Sequence, residues 1–378
     1  MTAKRLYVLL GSICLALMLV VPFVAACAGP APTPTPSPSP SPTASPSPSP
    51  SPAPAPTEEV FQWKFQSHMV ATDPLYYSTL TTWVNMVEKL SDGRMKIALH
   101  PGGTIVASPE ILGSVKNRVV EVGGSTAVYW KGSMPEVGVL LFPMALQSDT
   151  DGSDLWFSQG LHEFMVESYA NQGVHLLTCL QGPNLYILTS EPIRTLDDFE
   201  GMMVRTHSGN AALIEAFGAK AVSVIPEEIY TGLQLGTFDG LTWSGYASYY
   251  RQGFYEIAKY VMDYPVLTPN IMSDELFVNP EAWEELPDDI KGIMQLAADY
   301  AHFNNALAYR IEERECKGYL AEAGVEFTQL SESEKAEMME VAQSYWTETA
   351  NMSPRAKQAV KLVTDFLRMK GYTDYKIE

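Results

Sequence analysis

Positive charge is what this sequence has least of. Its 378 residues hold 25 Lys and Arg against 44 Asp and Glu, a formal net charge of −19. So acidic a surface repels phosphate backbones and anionic headgroups, which excludes nucleic acid as a partner. Cysteine is scarce as well. Of the four present, Cys14 and Cys27 fall in the first 27 residues, leaving only Cys179 and Cys316 for the body of the chain. No CxxC and no metal-ligand spacing exists, so the two thiols are either buried separately or joined in one disulfide. The signatures of enzymes are missing too: no HExxH, no Gly-x-Ser-x-Gly, no phosphate-cradling Gly-x-x-x-x-Gly-Lys and no dinucleotide fingerprint. The six histidines are scattered, and His207 beside Ser208 makes a poor base and nucleophile because sequence neighbours seldom aim at each other. No catalytic residue, no metal and no cofactor is expected.

Charge is absent altogether from two stretches near the start. Lys4-Arg5 precede an uncharged apolar run over residues 6–24, which closes on Val24-Ala25-Ala26-Cys27. This pattern reads as an export signal, and the last four residues resemble a bacterial lipobox, which implies that residues 1–26 are removed and Cys27 is lipidated. An uncleaved anchor of about 19 residues is the other reading, and either one leaves the rest of the chain outside the membrane. Residues 30–56 alternate Pro with Ser, Thr or Ala and contain 13 of the 27 prolines. Such a stretch blocks helix and sheet and favours extended polyproline II, so residues 27–57 read as a stiff tether.

From residue 58 onward the chain is long enough for about two domains. Phe61, Trp63 and Phe65 alternate as in a half-buried strand. Asp73-Pro74 then opens a helix that Ser91-Asp92-Gly93 ends. Residues 95–99 are strand-like, Pro101-Gly102-Gly103 is a loop, Ser108-Pro109 opens another helix, and residues 119–124 return to strand. The same rhythm recurs over residues 202–236 and predicts parallel strands with helices on the sheet faces, an α/β fold of two lobes. Beyond residue 280 the pattern turns helical. Asp288 and Asp289 head a run reaching residue 323, too long for one lobe and suited to bracing both. Ser331-x-x-Glu334 is a capping box.

One charged residue stands out. Residues 196–206 form a turn and a short apolar strand that delivers Arg205 just ahead of a helix start. There a guanidinium can fork onto a carboxylate, and free backbone N–H groups near residues 208–210 add positive potential. On this ground alone, a structural ion pair is the competing reading. Glu227 and Glu228 sit in a first helical turn, where acids complement the helix dipole.

Asp198-Phe199-Glu200-Gly201-Met202-Met203-Val204-Arg205, Gly218-Ala219, Ile225-Pro226-Glu227-Glu228-Ile229-Tyr230, Leu233-Gln234-Leu235-Gly236 and Phe238-Asp239-Gly240 follow one another in order. Together they resemble the signature of DctP-type solute-binding proteins of TRAP transporters. Ser91-Asp92-Gly93-Arg94, Pro101-Gly102-Gly103 and Phe142-Pro143 also look like that family, so the resemblance covers most of residues 60–345. It implies a two-lobed, type II-like periplasmic-binding-protein fold with a long C-terminal bracing helix. Lobe I would comprise residues 58–182 with about 271–310. Lobe II would comprise 183–270 with about 311–378, including the C-terminal helices. It further implies a receptor on the outer face of the cytoplasmic membrane or in the periplasm that closes on a small organic acid and delivers it to TRAP permease subunits. Arg205 matches the family arginine that grips the carboxylate. Tyr129, Trp130, Trp243 and Tyr246, with Tyr249 and Tyr250, resemble the subgroup that binds 2-oxo acids. For these aromatics core packing is the competing reading. Asn184 stands where many members carry a second Arg, and Thr242 where metal-assisted binders carry Glu. Tyr76 and Tyr77 are placed to close the pocket from the other lobe. Two rival readings remain. A secreted acidic glycan hydrolase would use carboxylates such as Glu227 and Asp239. A receptor for an ATP-driven importer would share the closure but lack the bracing helix.

Overall fold

The computed structural model describes residues 59–206, 208–267, 272–373 and 375. The export segment, the tether, Cys27 and His207 lie outside them. Four strands form in the first part of the chain: β1 (Phe61–Ser67), β2 (Met95–His100), β3 (Val122–Ser125) and β4 (His175–Gln181). Seven more follow: β5 (Leu185–Thr189), β6 (Met203–Arg205), β7 (Lys220–Val222), β8 (Gly240–Leu241), β9 (Tyr260–Leu267), β10 (Met272–Val278) and β11 (Glu326–Thr328). They make two sheets, ordered β2-β1-β3-β10-β4 and β11-β9-β5-β8-β6-β7. The first sheet therefore draws on both sides of the second in sequence, and the chain crosses between sheets at β4–β5 and again at β9–β10.

Parallel pairing, expected where strand and helix alternate, is found in those stretches, and antiparallel strands complete each sheet. β1 runs parallel to β2 and β3, and β6 parallel to β7 and β8, each pair joined through helical segments. β10 is antiparallel to both β3 and β4, because it arrives straight from the other sheet and needs no crossover helix of its own. β5 is antiparallel to β8 and β9 for the corresponding reason.

β1 shows how the sequence pattern becomes a wall of the cleft. Trp63 and Phe65 are buried while Lys64 is exposed, the alternation of a strand with one face on the core. At its end the alternation stops, and Gln66 and Ser67 are both buried. Gln66 Nε2 donates to Ser67 O at 2.7 Å and Pro101 O at 2.8 Å, and its Oε1 accepts from Ile105 N at 3.0 Å, so one amide pins the Pro101-Gly102-Gly103 loop. Gly102 is required there. A Cβ on it would lie 2.5 Å from His68 O and 3.2 Å from Glu227 Oε1.

The long helix, Asp288–Glu322, has 35 residues and is about 52 Å in length. Its first half ties to β4: His302 Nδ1 lies 2.6 Å from Cys179 O, and Asn305 Nδ2 donates to Gln181 O at 2.7 Å. Farther along, Glu313 accepts from Tyr246 N and Ala247 N at 2.9 and 2.8 Å, and Lys317 pairs with Asp263 of β9 at 2.7 Å. It thus braces both halves, as its length suggests. Cys179 and Cys316 are both buried and free. Two more helices follow, Glu332–Met352, with the Ser331/Glu334 capping box formed, and Pro354–Met369. They pack on the 135–170 region, where Trp346 stacks on Phe142 with centroids 5.8 Å apart and Arg355 meets Glu136 and Glu167. Among the described residues no helix is long and apolar enough to cross a membrane.

Candidate functional site

Three parallel strands of the second sheet deliver their ends to one place. Arg205 is the last residue of β6, Val224 lies just past β7, and Trp243 just past β8. Ligands of open α/β sheets collect outside such carboxyl ends. From the first sheet, His68 follows β1 and Thr126 and Tyr129 follow β3. A cavity of about 50 Å³ separates the two sets, with Pro183 and Leu185 of the β4–β5 crossing and Asp274 of β10 completing its lining. At roughly 10–15 Å³ per water on this measure it holds about three to five waters, the scale of a small organic molecule.

Arg205 dominates the site. It is only 3% exposed, yet no carboxylate pairs with it among the described residues. Its Nε and Nη2 donate to Val224 O at 3.0 and 2.9 Å, and its Nη1 donates to Thr242 O at 2.9 Å. A guanidinium has five N–H donors, so two remain without a described protein acceptor. Its flat face lies 4.9 Å from the Trp243 ring centroid, a stack that offsets part of the desolvation cost. Burial nevertheless holds its pKa down at about 10. A buried cation without a counter-charge is expensive, and the expense is recovered when an anion arrives.

Trp243 is held in turn by Asp73. The indole Nε1 donates to Asp73 Oδ2 at 3.2 Å, and Ser248 Oγ and Gln252 Nε2 donate to the same oxygen at 3.0 and 2.9 Å. Oδ1 accepts from Leu75 N at 3.0 Å and Tyr309 OH at 3.2 Å. One buried carboxylate from the turn after β1 therefore gathers donors from the second lobe and from the bracing helix. Burial raises its pKa and the donors oppose that rise.

The first-sheet wall carries a second polar cluster. His68 Nδ1 is 3.2 Å from Gly124 O, and its Nε2 is 3.2 Å from Asp274 Oδ1. Burial, opposed by the carbonyl and aided by Arg205, pushes His68 down to about 4, so the imidazole is neutral near pH 7. Tyr129 lies edge-on to His68 with centroids 6.3 Å apart, and burial pushes its hydroxyl up to about 12.

Of the residues singled out in the sequence, Arg205, Trp243 and Tyr129 line the cavity, and the others are placed elsewhere. Trp130 turns inward, donating Nε1 to Tyr169 OH at 2.9 Å and packing edge-on to Phe277, because the short 3-10 turn Ala127–Tyr129 sends consecutive side chains in different directions. Asn184 sits between Pro183 and Leu185, both lining residues, and extended backbone aims it the opposite way. There, with Tyr186, Tyr309, Arg310 and Glu313, it lines a separate hollow of about 110 Å³ and donates to Tyr186 OH at 3.3 Å. Tyr246 stacks on Tyr186 at 4.1 Å and bonds Asp263, Tyr249 OH donates to Tyr186 O at 2.7 Å, and Tyr250 stacks on Tyr255 at 5.2 Å, so none of the three lines this cavity. Tyr76 OH donates to Leu99 O at 3.3 Å at the margin of the first sheet. The side chain of Tyr77 lies outside the described ones.

Thr242, where metal-assisted binders carry Glu, is fully buried with its hydroxyl 2.8 Å from Thr206 Oγ1. No group of three His, Cys, Asp or Glu able to hold a metal comes together among the described residues. The carboxylates of the hydrolase reading do not pair across the cavity. Asp239 Oδ2 accepts from Met203 N at 2.8 Å, at the opposite end of β6 from Arg205, while Glu227 Oε1 accepts from Ser108 Oγ at 3.0 Å. Sequence reasoning missed His68, Asp274 and Asp73. The available signal was positional, since His68 directly follows an alternating strand and Asp73 heads the helix whose Pro was read.

The family model for bacterial extracellular solute-binding protein family 7, DctP, matches residues 66–352. An ectoine-binding periplasmic protein of Halomonas elongata is 25% identical over 229 residues, 57% of this chain and 63% of that protein, so the match spans less than two thirds of this relative. A monocarboxylate 2-oxoacid-binding periplasmic protein of Nostoc sp. is 24% identical over 265 residues, 69% of this chain and 71% of that protein. A TRAP periplasmic solute-binding protein of Chromohalobacter salexigens, solved with bound (S)-(+)-2-amino-1-propanol, has the same fold. It superposes with a TM-score of 0.75 at 24% identity, covering 84% of this chain and all of that one. With the paired sheets, the bracing helix and the arginine-lined cleft, the matched span makes this chain a member of the DctP family of TRAP-transporter solute-binding proteins.

Proposed function

We propose that this protein is a lipid-anchored extracytoplasmic receptor that captures a small carboxylate by closing its two lobes and hands it to a TRAP-type permease. The observation that carries the reading is Arg205, a buried guanidinium with two N–H groups unspent among the described residues, at a cavity of about 50 Å³. A bound carboxylate supplies the missing counter-charge and joins the lobes. The closed state is then favoured by the contacts that exist only there. The lobes, residues 58–182 with about 271–310 and 183–270 with about 311–378, hinge at the two crossings. No bond is made or broken, and the protein is a binder and not an enzyme. The relatives named above, one binding ectoine and the other monocarboxylate 2-oxo acids, support a ligand of this size.

Thermal-shift screening of purified protein against mono- and dicarboxylates, 2-oxo acids and hydroxy acids, followed by calorimetry, tests the binding claim, because a ligand of the closed form raises the melting midpoint by mass action. Mass analysis of whatever co-purifies separates receptor from hydrolase: a receptor returns the ligand unchanged. Residues 1–26 act as the signal and Cys27 as the lipidated residue, with the Pro-rich tether as spacer. Cys27→Ser is expected to move the protein from the membrane fraction to the soluble one and to abolish palmitate labelling. Retention in the membrane would refute the anchor.

A further inference from the structure

One contact crosses the cleft between protein groups alone. Ser108 opens the helical turn that follows β2 and its loop, on the side of the first sheet, and it is buried. Glu227 lies just past Val224, on the side of the second sheet, and outside the cavity lining. Ser108 Oγ donates to Glu227 Oε1 at 3.0 Å. The fit around this bond is close: a Cβ on Gly102 would lie 3.2 Å from Glu227 Oε1, and one on Gly103 3.2 Å from Glu227 Cγ. Two residues without side chains thus leave the room that Glu227 fills, and Gln66 of β1 pins the loop that carries them. The Tyr129 hydroxyl of the cavity wall lies within the field of Glu227, so the contact stands at the margin of the ligand space.

An acid at the head of a helical turn has an ordinary use against the helix dipole. That use asks for negative charge near the first N–H groups and for nothing on the opposite sheet. The geometry of Glu227 asks for an acceptor instead. Oε1 is spent across the cleft, while Oε2 is buried with no hydrogen-bond partner among the described residues, where charge is a cost. We infer that Glu227 is a latch between the lobes, a positioning residue that holds the closed form through Ser108 and the Gly102-Gly103 loop. A hydrogen bond to a charged acceptor shifts an equilibrium by roughly 10- to 100-fold. The closed form is therefore populated before a ligand arrives, and the closure that a ligand must still drive is smaller by the same factor. The inference uses the two lobes of the receptor reading but not its ligand.

Double electron–electron resonance on the ligand-free mature chain tests it, with Cys27→Ser to remove the lipid and nitroxide labels on Val119→Cys and Leu235→Cys, exposed sites on the two sides. Cys179 and Cys316 are buried and stay unlabelled. Wild type is expected to show a short, closed distance beside a long one. Glu227→Ala and Ser108→Ala should each lower the closed-to-open ratio at least about tenfold, with the double variant no worse than either single. Glu227→Gln keeps an acceptor for Ser108 and drops the buried charge, so it should hold the ratio at or above wild type, whereas a dipole role would make it fail as Ala does. With pyruvate as probe, Glu227→Ala should speed release at least about tenfold and leave the association rate within about threefold. If Ser108→Ala fails to fold, the two Glu227 variants still decide, and if pyruvate does not bind, the ligand-free distances decide alone. A wild type without a closed population, a ratio unchanged by Glu227→Ala, or additive single effects overturns the latch and leaves Arg205 and the receptor reading standing. Failure of every carboxylate in the wider screen would remove the receptor reading without touching these distances.

Discussion

Removing the Arg205 guanidinium should destroy binding while sparing the fold. Three of its donors are committed to Val224 O and Thr242 O and its face to Trp243, so among the described residues two N–H groups are left for a ligand. Hydrogen bonds to a charged partner contribute about 1.5–3 kcal/mol each, and truncating one side of a buried charge pair costs about 2–5 kcal/mol. Arg205→Ala is therefore expected to weaken the best ligand by about 2–5 kcal/mol, roughly 30- to 4,000-fold. Arg205→Lys keeps the charge but loses the fork, and should fall between the two. For the ligand-free protein two effects oppose. An unpaired buried cation is relieved, while two carbonyls lose their donors, so a cooperative melt near the wild-type midpoint is expected. Isothermal calorimetry on folded variants reads the affinity directly. Affinity of Arg205→Ala within threefold of wild type would show that the carboxylate is bound elsewhere.

Asp73→Ala strands the Trp243, Ser248, Gln252, Tyr309 and Leu75 donors at once and is expected to cost at least about 3 kcal/mol in urea unfolding. A loss under 1 kcal/mol would mean that water replaces the carboxylate freely. Gly102→Ala puts a methyl group 2.5 Å from a backbone oxygen, that of His68, which cannot yield as a side-chain tip can. About 1–3 kcal/mol of destabilisation should appear as a lowered melting midpoint, and an unchanged midpoint would contradict the packing. His302 is held at about 4 by burial, below the usual histidine value. Its depressed pKa means that the unfolded chain binds the extra proton first, so its contribution is intact above about pH 6.5 and is lost as pH falls toward 4. Relative to His302→Gln, wild-type unfolding free energy should drop by up to about 1.4 kcal/mol per pH unit across that window. Parallel pH profiles would refute the burial argument.

How much of this was legible in the sequence depends on which forces set each feature. The bracing helix was legible because its signals are local: two acids at its start and a sustained helical pattern over some thirty residues specify it without reference to the rest of the fold. Arg205 was legible because the turn, apolar strand and helix start around it fall within about ten residues. β10 was not, because its direction is set by arrival from the other sheet, a fact with no local trace. The aromatics divide on the same principle. Trp243 follows a strand whose end faces the cleft and so lines it, whereas Trp130 and Tyr246 lie in a tight turn and a short helix, where one residue of displacement exchanges cleft for core. The family resemblance pointed to all three alike, and only the backbone path separates them.

The least legible placement is that of two neighbouring acids on β10. Asp274 belongs to a strand whose alternation places it toward the cleft and Glu275 toward the core, where burial drives the pKa of Glu275 well up. From sequence the two acids are an undistinguished pair, and a one-residue register slip would exchange them. The ladder decides: Leu276 opposite Gly124 and Phe277 opposite Gly123 set the phase, and neither glycine has room for a side chain, with Phe277 2.5 Å from a Cβ at Gly123 and Phe65 2.8 Å from one at Gly124. Gly123→Ala or Gly124→Ala should therefore strain the β3–β10 pairing, with about 1–3 kcal/mol of destabilisation appearing as a lowered melting midpoint. An unchanged midpoint in both variants would mean that the Phe277 and Phe65 rings give way and that the two glycines do not hold the register.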